Sequence, residues 1–159
     1  MSETTSTYRL WKSATKRPGG RQAFSAAVSM RAPYFRTITP VVREMEPGRA
    51  VVSAPKWWGV TNHIGTFHAI AACNVAEFAM GMVAEATVPP THRWLPKAMQ
   101  VRYLAKAETS LVATATLDPI PDFGAIDSGE DVVVAVAICD KGGTEVVHAD
   151  ITIWVTPKA

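Results

Sequence analysis

Cysteine and clustered histidine are scarce in this chain, and their scarcity excludes several classes of protein. The 159 residues include only Cys73 and Cys139, which form no Cys-x-x-Cys pair. Neither a zinc site nor a disulfide framework is therefore indicated, and a cytoplasmic location, where thiols stay reduced, is expected. No other metal site is expected, because no pair among the candidate ligands has an established spacing: His63, His68, Glu77, His92 and His148.

Targeting and membrane-spanning signals are also lacking. No apolar run follows the amino terminus, so a secretory signal is not expected, although the Arg-rich and Ser/Thr-rich start leaves an organellar transit peptide open. The segment 64–84 is long and apolar enough to suggest a membrane span. It contains His68, Asn74 and Glu77, whose transfer into lipid would be costly, so we predict a buried core helix instead.

Acidic residues are few in the first third of the chain. Nine of the 16 Lys and Arg precede Ala50, against only Glu3, Glu44 and Glu46, although the formal net charge is just +2. This basic third favours either an anionic ligand, such as a phosphorylated cofactor, or an ordinary solvated face. The balanced total charge and the lack of a recognised motif predict no nucleic-acid partner.

The remaining composition, 48% hydrophobic and 19% charged, is typical of one globular domain. We expect residues 1–32 to form a polar, basic segment with a short helix and residues 33–159 to form the domain. The first seven or so residues are expected to be mobile. Turn signals at 46–49 and 140–143 predict two antiparallel hairpins. The predicted helices are 21–30 and 69–86, and the predicted strands are 38–45, 50–54, 99–105, 110–117, 132–139 and 145–155.

The long helix carries small residues on nearly every face, which permits a sheet to approach closely. We therefore expect an α+β fold in which one curved antiparallel sheet wraps around one central helix. Glu77 is a lone carboxylate in this apolar helix. Burial of such a group costs several kcal/mol or raises its pKa, and both are tolerated mainly where chemistry uses the group.

The motif Asn62-x-x-Gly65-x-x-His68, followed nine residues later by Glu77, resembles the PaaI-like acyl-CoA thioesterases of the hotdog-fold superfamily. The resemblance covers about residues 33–156. It implies a hotdog fold and hydrolysis of acyl-CoA or acyl-carrier thioesters. It also implies no cofactor beyond the coenzyme A of the substrate, and a homodimer that can pair further into a tetramer.

The spacing of His68 and Glu77 has a geometric consequence. Nine residues at about 100° each place the two side chains on opposite sides of a helix, about 13 Å apart along its axis. They cannot share a site within one chain. If both act on one substrate, a two-fold dimer with two composite sites is required.

The expected chemistry is the attack of water on a thioester. Backbone N–H groups around His68 and Ala69 would polarise the carbonyl, and Glu77 would act as general base or as nucleophile. Asn62 or His68 would orient the water or the loop. We expect substrate contacts from Gly65, Ala69 and His63 and phosphate contacts from basic residues after the helix, unless these carry ordinary edge-strand charge: Lys97, Arg102 and Lys106.

Other interpretations stay open at this point. Glu77 can be a structural carboxylate, Cys73 lies on the same helix face as an alternative nucleophile, and Trp57-Trp58 can line an acyl pocket or end a strand. The fourteen-residue spacing of His63 and Glu77 is similar to that of hotdog 3-hydroxyacyl dehydratases, but the interval 64–76 lacks the proline-rich loop of those enzymes. A non-catalytic acyl-binding dimer is a further alternative.

Overall fold

One antiparallel sheet of six strands wraps around one long helix in the computed structural model, which describes residues 4–158. The predicted α+β architecture is thereby confirmed. The sheet has the strand order β1-β2-β4-β5-β6-β3. The helices are α1 (Ser6–Ala14), α2 (Gly20–Arg31) and α3 (Ala69–Thr87), and the strands are β1 (Val41–Glu46), β2 (Arg49–Ala54), β3 (His92–Tyr103), β4 (Leu111–Thr116), β5 (Glu130–Cys139) and β6 (Glu145–Pro157).

The core lies between α3 and the concave face of the sheet. Val75, Ala76 and Ala79 of α3 are fully buried, as the small residues of this helix predict. Alternate residues of β4, β5 and β6 face them, which is the two-residue periodicity of strands with one buried face. Burial of this apolar surface against one central helix is the main stabilising contribution to the fold.

The amino-terminal segment folds onto the same core. Trp11 of α1 and Phe24 of α2 are buried, and their rings meet edge to face with centroids 5.2 Å apart. The Thr5 hydroxyl caps α1 by accepting from the Tyr8 N–H at 3.1 Å and donates to the Glu85 carbonyl of α3 at 2.6 Å. The expected mobility falls partly on residues 1–3, outside the described residues, whereas Ser6 already begins a helix.

The two edges of the sheet differ. At the β1 edge, α2 lies against the strand, and the Val42 N–H donates to the buried Ser25 hydroxyl at 2.9 Å. A bulge at Arg43 further interrupts pairing there. At the other edge β3 pairs with β6 and, among residues 4–158, has no second neighbouring strand.

Two predicted boundaries were wrong. The predicted strand 38–45 begins only at Val41. Residues Pro33–Ile38 form a 3₁₀ helix instead, because Pro33 at its start favours a helical φ and the chain must turn there before β1. Strand β3 begins at His92, seven residues before the predicted start. Pro96 has no N–H to donate, and a bulge between Pro96 and Ala98 shifts the alternation, so the first half of the strand lacks a regular pattern.

Candidate functional site

The loop before α3 is held in shape by Asn62. Its side-chain carbonyl accepts from the Ile64 and Thr66 N–H groups, both at 3.1 Å, and its amide donates to the Thr66 hydroxyl at 2.8 Å. Gly65 adopts φ +79°, a left-handed conformation that glycine takes at little cost. The structure thus gives Asn62 and Gly65 loop-shaping contacts, while their roles toward a substrate stay predictions.

His68 forms the junction between this loop and α3. Its Nδ1 accepts from the Ile70 N–H at 3.0 Å and caps the helix, and its own N–H donates to the Val60 carbonyl at 2.7 Å. The expectation that the His68 N–H is free for a substrate is therefore wrong. Within residues 4–158, two N–H groups in the first turn of α3 have no protein acceptor, those of Ala69 and Ala71. Of these two residues, Ala69 is exposed and Ala71 is partly buried.

Glu77 lies on an open stripe of α3. The partly exposed residues Cys73, Glu77, Gly81 and Glu85 recur every four positions and so share one helix face. Glu77 is half-buried rather than buried, contrary to our expectation, because the edge strand β3 leaves this face partly uncovered. Among the described residues its carboxylate has no hydrogen-bond or ion-pair partner.

A groove of about 280 Å³ runs past Glu77 between α3 and β3. We call it the Glu77 groove. Apart from Glu77 and Glu85, its walls are apolar or small: Phe35, Phe78, Met80, Gly81, Met82, Trp94, Leu95 and Pro96. The Glu77 carboxylate thus makes no contact among the described residues that would hold the fold together, and its role toward a ligand stays a prediction.

The other predicted site residues lie apart from this groove. His63 is exposed in the loop, and Lys106 is exposed in the segment that follows β3. The Lys97 ammonium is paired with the Asp131 carboxylate at 2.8 Å and lies 4.9 Å from the centroid of the Trp154 ring. Arg102 pairs in register with His148, whose neighbours face the core, so Arg102 lies on the convex face. The structure does not bring Lys97 or Arg102 to the Glu77 groove of the same chain.

Two contacts near the groove were not predicted. The Tyr103 hydroxyl lies 3.3 Å from the Cys73 thiol, one helical turn before Glu77. The hydrogen bond with Cys73, together with desolvation and charge repulsion, raises the pKa of Tyr103 to about 12. At the opposite end of the groove the Trp94 indole donates to the Glu85 carboxylate at 3.3 Å. Alternation along β3 places Tyr103 on the concave face, so the complete strand pattern would have revealed it.

Two features of the described residues bear on alternative site types. No group of three His, Cys, Asp or Glu side chains within residues 4–158 could hold a metal ion. Helix α3 is long and apolar enough to cross a membrane by composition, but 67% of its apolar window is buried inside the fold, as in the core helix of a globular domain.

Comparisons with known proteins agree with this architecture. Residues 20–155 match the family described as a domain of unknown function, DUF4442. A structural-genomics protein whose name states no function is 38% identical, with a TM-score of 0.81 over 96% of this chain and 98% of its own. No curated protein matches the sequence.

More distant structures share the fold. A Pseudomonas aeruginosa protein of unknown function, described as a probable thioesterase, has a TM-score of 0.75 at 18% identity over 82% of this chain and 91% of its own. A Haemophilus influenzae thioesterase has a TM-score of 0.68 at 10% identity over 78% and 82%. The resemblance predicted from the sequence is thereby confirmed. The chain belongs to the DUF4442 family, and its fold is the hotdog fold of these more distant structures.

Proposed function

We propose that this protein is a homodimeric acyl-CoA thioesterase that uses Glu77 of one subunit and the loop 62–69 of the other. The observation that carries the proposal is the unpaired, half-buried Glu77 carboxylate in an otherwise largely apolar groove. The proposal includes a cytoplasmic location and no cofactor beyond the coenzyme A of the substrate.

The open edge of β3 supports the dimer. Strand β3 is twelve residues long, and an exposed edge of this length readily pairs with a second strand. Large apolar side chains lie exposed on β3 and on the loop beside it, including Leu95 at 62%, Tyr103 at 54% and Ile64 at 61%. A two-fold pairing of β3 strands would cover part of this surface and allow one subunit's loop to approach its partner's α3.

The proposed reaction is thioester hydrolysis. The acyl carbonyl oxygen accepts a hydrogen bond from the Ala69 N–H at the positive end of α3, which stabilises the developing oxyanion. Glu77 takes a proton from water, whose oxygen bonds to the acyl carbon. The carbon–sulfur bond then breaks, and the leaving thiolate of coenzyme A takes up the proton. Direct attack by Glu77 gives the same products through a mixed anhydride that water resolves.

The deciding experiment is thiol release from short, medium, long-chain and aromatic acyl-CoAs. We expect wild-type turnover to fall at least about 100-fold in Glu77→Gln, because this change removes the base while keeping its shape. Glu108→Gln, which removes an exposed carboxylate from the loop after β3, serves as the matched control and should match wild type.

Turnover in Glu77→Gln at the wild-type rate would contradict the role of Glu77. Silence of the wild type across the panel would contradict hydrolysis. Tight acyl-CoA binding without turnover would then favour an acyl-binding protein, and conversion of 3-hydroxyacyl thioesters without thiol release would favour a dehydratase.

A further inference from the structure

A second, larger cavity lies where α1 meets the carboxyl end of α3 and the start of β3. Its volume is about 530 Å³, and four cationic side chains line it: Arg9, Arg31, Arg93 and Lys158. These residues come from α1, α2, β3 and the chain's last described residue, so only the folded chain assembles them. We call this the basic cavity.

The basic cavity has an excess of positive charge. Glu85 is the one carboxylate among its lining residues, and it accepts a hydrogen bond from the Trp94 indole. Within residues 4–158, no carboxylate lies within 4.0 Å of the guanidinium of Arg9, Arg31 or Arg93. Arginine forks unpaired in this way match the oxygens of a phosphate, with which they form charge-assisted, bidentate hydrogen bonds.

The basic cavity adjoins the Glu77 groove. Glu85 and Trp94 line both spaces, so a molecule that extends past this hydrogen-bonded pair would reach from one space into the other. Eight residues of α3 separate Glu77 from Glu85, which is about 12 Å along the helix axis. An extended pantetheine arm can span that distance, with its thioester at Glu77 and its phosphates among the arginines.

We propose that the basic cavity binds the phosphates of coenzyme A. The inference rests on the proposed thioesterase function for its substrate, and it assigns Arg9, Arg31 and Arg93 as residues that recognise the nucleotide end. It also gives the basic first third of the sequence a role, because α1 and α2 carry two of these arginines to the site. The basic residues predicted from the sequence, Lys97, Arg102 and Lys106, do not line this cavity.

Calorimetric titration with coenzyme A tests this site without requiring turnover. We expect Arg31→Gln/Arg93→Gln to bind coenzyme A at least tenfold more weakly than wild type. The matched control, Arg17→Gln/Arg21→Gln, removes the same charge from exposed positions outside the cavity and should bind as wild type does. With active enzyme, the KM for acyl-CoA should rise by the same factor, whereas the KM for acyl-pantetheine, which lacks the nucleotide, should not.

Equal affinity of wild type and Arg31→Gln/Arg93→Gln for coenzyme A would overturn the inference, as would an equal loss in the control. Binding of free pyrophosphate as tightly as coenzyme A would show a site for the free anion rather than for the carrier. Weakened coenzyme A binding in a protein that hydrolyses no acyl-CoA would support the cavity and contradict the thioesterase proposal, so the two failures are distinguishable.

Discussion

Asn62 shows how one side chain can organise the loop before α3. Its three side-chain hydrogen bonds all stay within the loop, so Asn62→Ala leaves two backbone N–H groups and one hydroxyl without their partner. We expect the free energy of unfolding in urea to fall by about 1–3 kcal/mol. Asn62→Asp keeps the acceptors and should lose less. Wild-type stability of Asn62→Ala would show that water replaces these contacts.

The raised pKa of Tyr103 makes the stability of the fold depend on pH. Its pKa of about 12 in the fold, against 10.0 ordinarily, means that the folded state holds the phenol proton more tightly. The contribution to stability is complete below pH 10 and is lost as pH rises from 10 to 12, because the unfolded chain ionises first. Cys73→Ala should lower the pKa of Tyr103, as followed by tyrosinate absorbance, and lessen this alkaline loss. Cys139→Ala is the control, and an unshifted titration in Cys73→Ala would contradict the assigned cause.

At the scale of elements, α2 provides an internally matched comparison. Ser25 and Ser29 are one helical turn apart and 1% and 5% exposed, but only the Ser25 hydroxyl accepts a bond from β1. The Ser29 hydroxyl is buried without a partner among the described residues. Ser25→Ala should lower the free energy of unfolding by about 1–3 kcal/mol, whereas Ser29→Ala should be neutral or stabilising. Chemical denaturation of both variants measures the two free energies of unfolding. Equal losses would mean that the hydrogen bond from Val42 to Ser25 contributes nothing to stability.

The elements also show why some of the fold could be predicted. Helix α3 followed from a long run of small apolar residues, and both hairpins followed from Pro47-Gly48 and Gly142-Gly143. The start of β3 could not be predicted, because Pro96 and its bulge interrupt the alternation that identifies a strand. Local sequence patterns were sufficient to predict the elements in which one periodicity or one turn signal continues without interruption.

The candidate site divides in the same way. The loop 62–68 and Glu77 lie in one continuous stretch of sequence. The position of the loop directly before α3, and of Glu77 within α3, could therefore be predicted. The basic cavity could not, because Arg9, Arg93 and Lys158 are far apart in sequence and meet only after α1 folds against α3. The Glu85–Trp94 contact, which borders both the cavity and the groove, likewise requires β3 to be placed correctly.

At the scale of the whole molecule, a composite site predicts that two inactive variants restore each other. Ala69→Pro removes the proposed oxyanion N–H at the first helical position, where proline is tolerated, and His68 already has the extended conformation that precedes proline (φ −64°, ψ 136°). Mixed after unfolding and refolding, Ala69→Pro and Glu77→Gln should recover about one quarter of wild-type thiol release, since half of the dimers carry one intact site.

Each variant refolded alone is the control and should stay inactive. Failure of the mixture to recover activity, although light scattering shows dimers, would place both groups of one site in the same chain.

The unequal edges of the sheet also limit how far copies of this chain can associate. Edge-to-edge association that used both β1 and β3 would propagate from molecule to molecule, as it does in fibrils. Because α2 and the bulge at Arg43 block β1, a second molecule that adds at β3 presents a blocked edge outward in its turn. We therefore expect strand pairing to terminate after one addition, so that high concentration yields discrete particles rather than growing filaments.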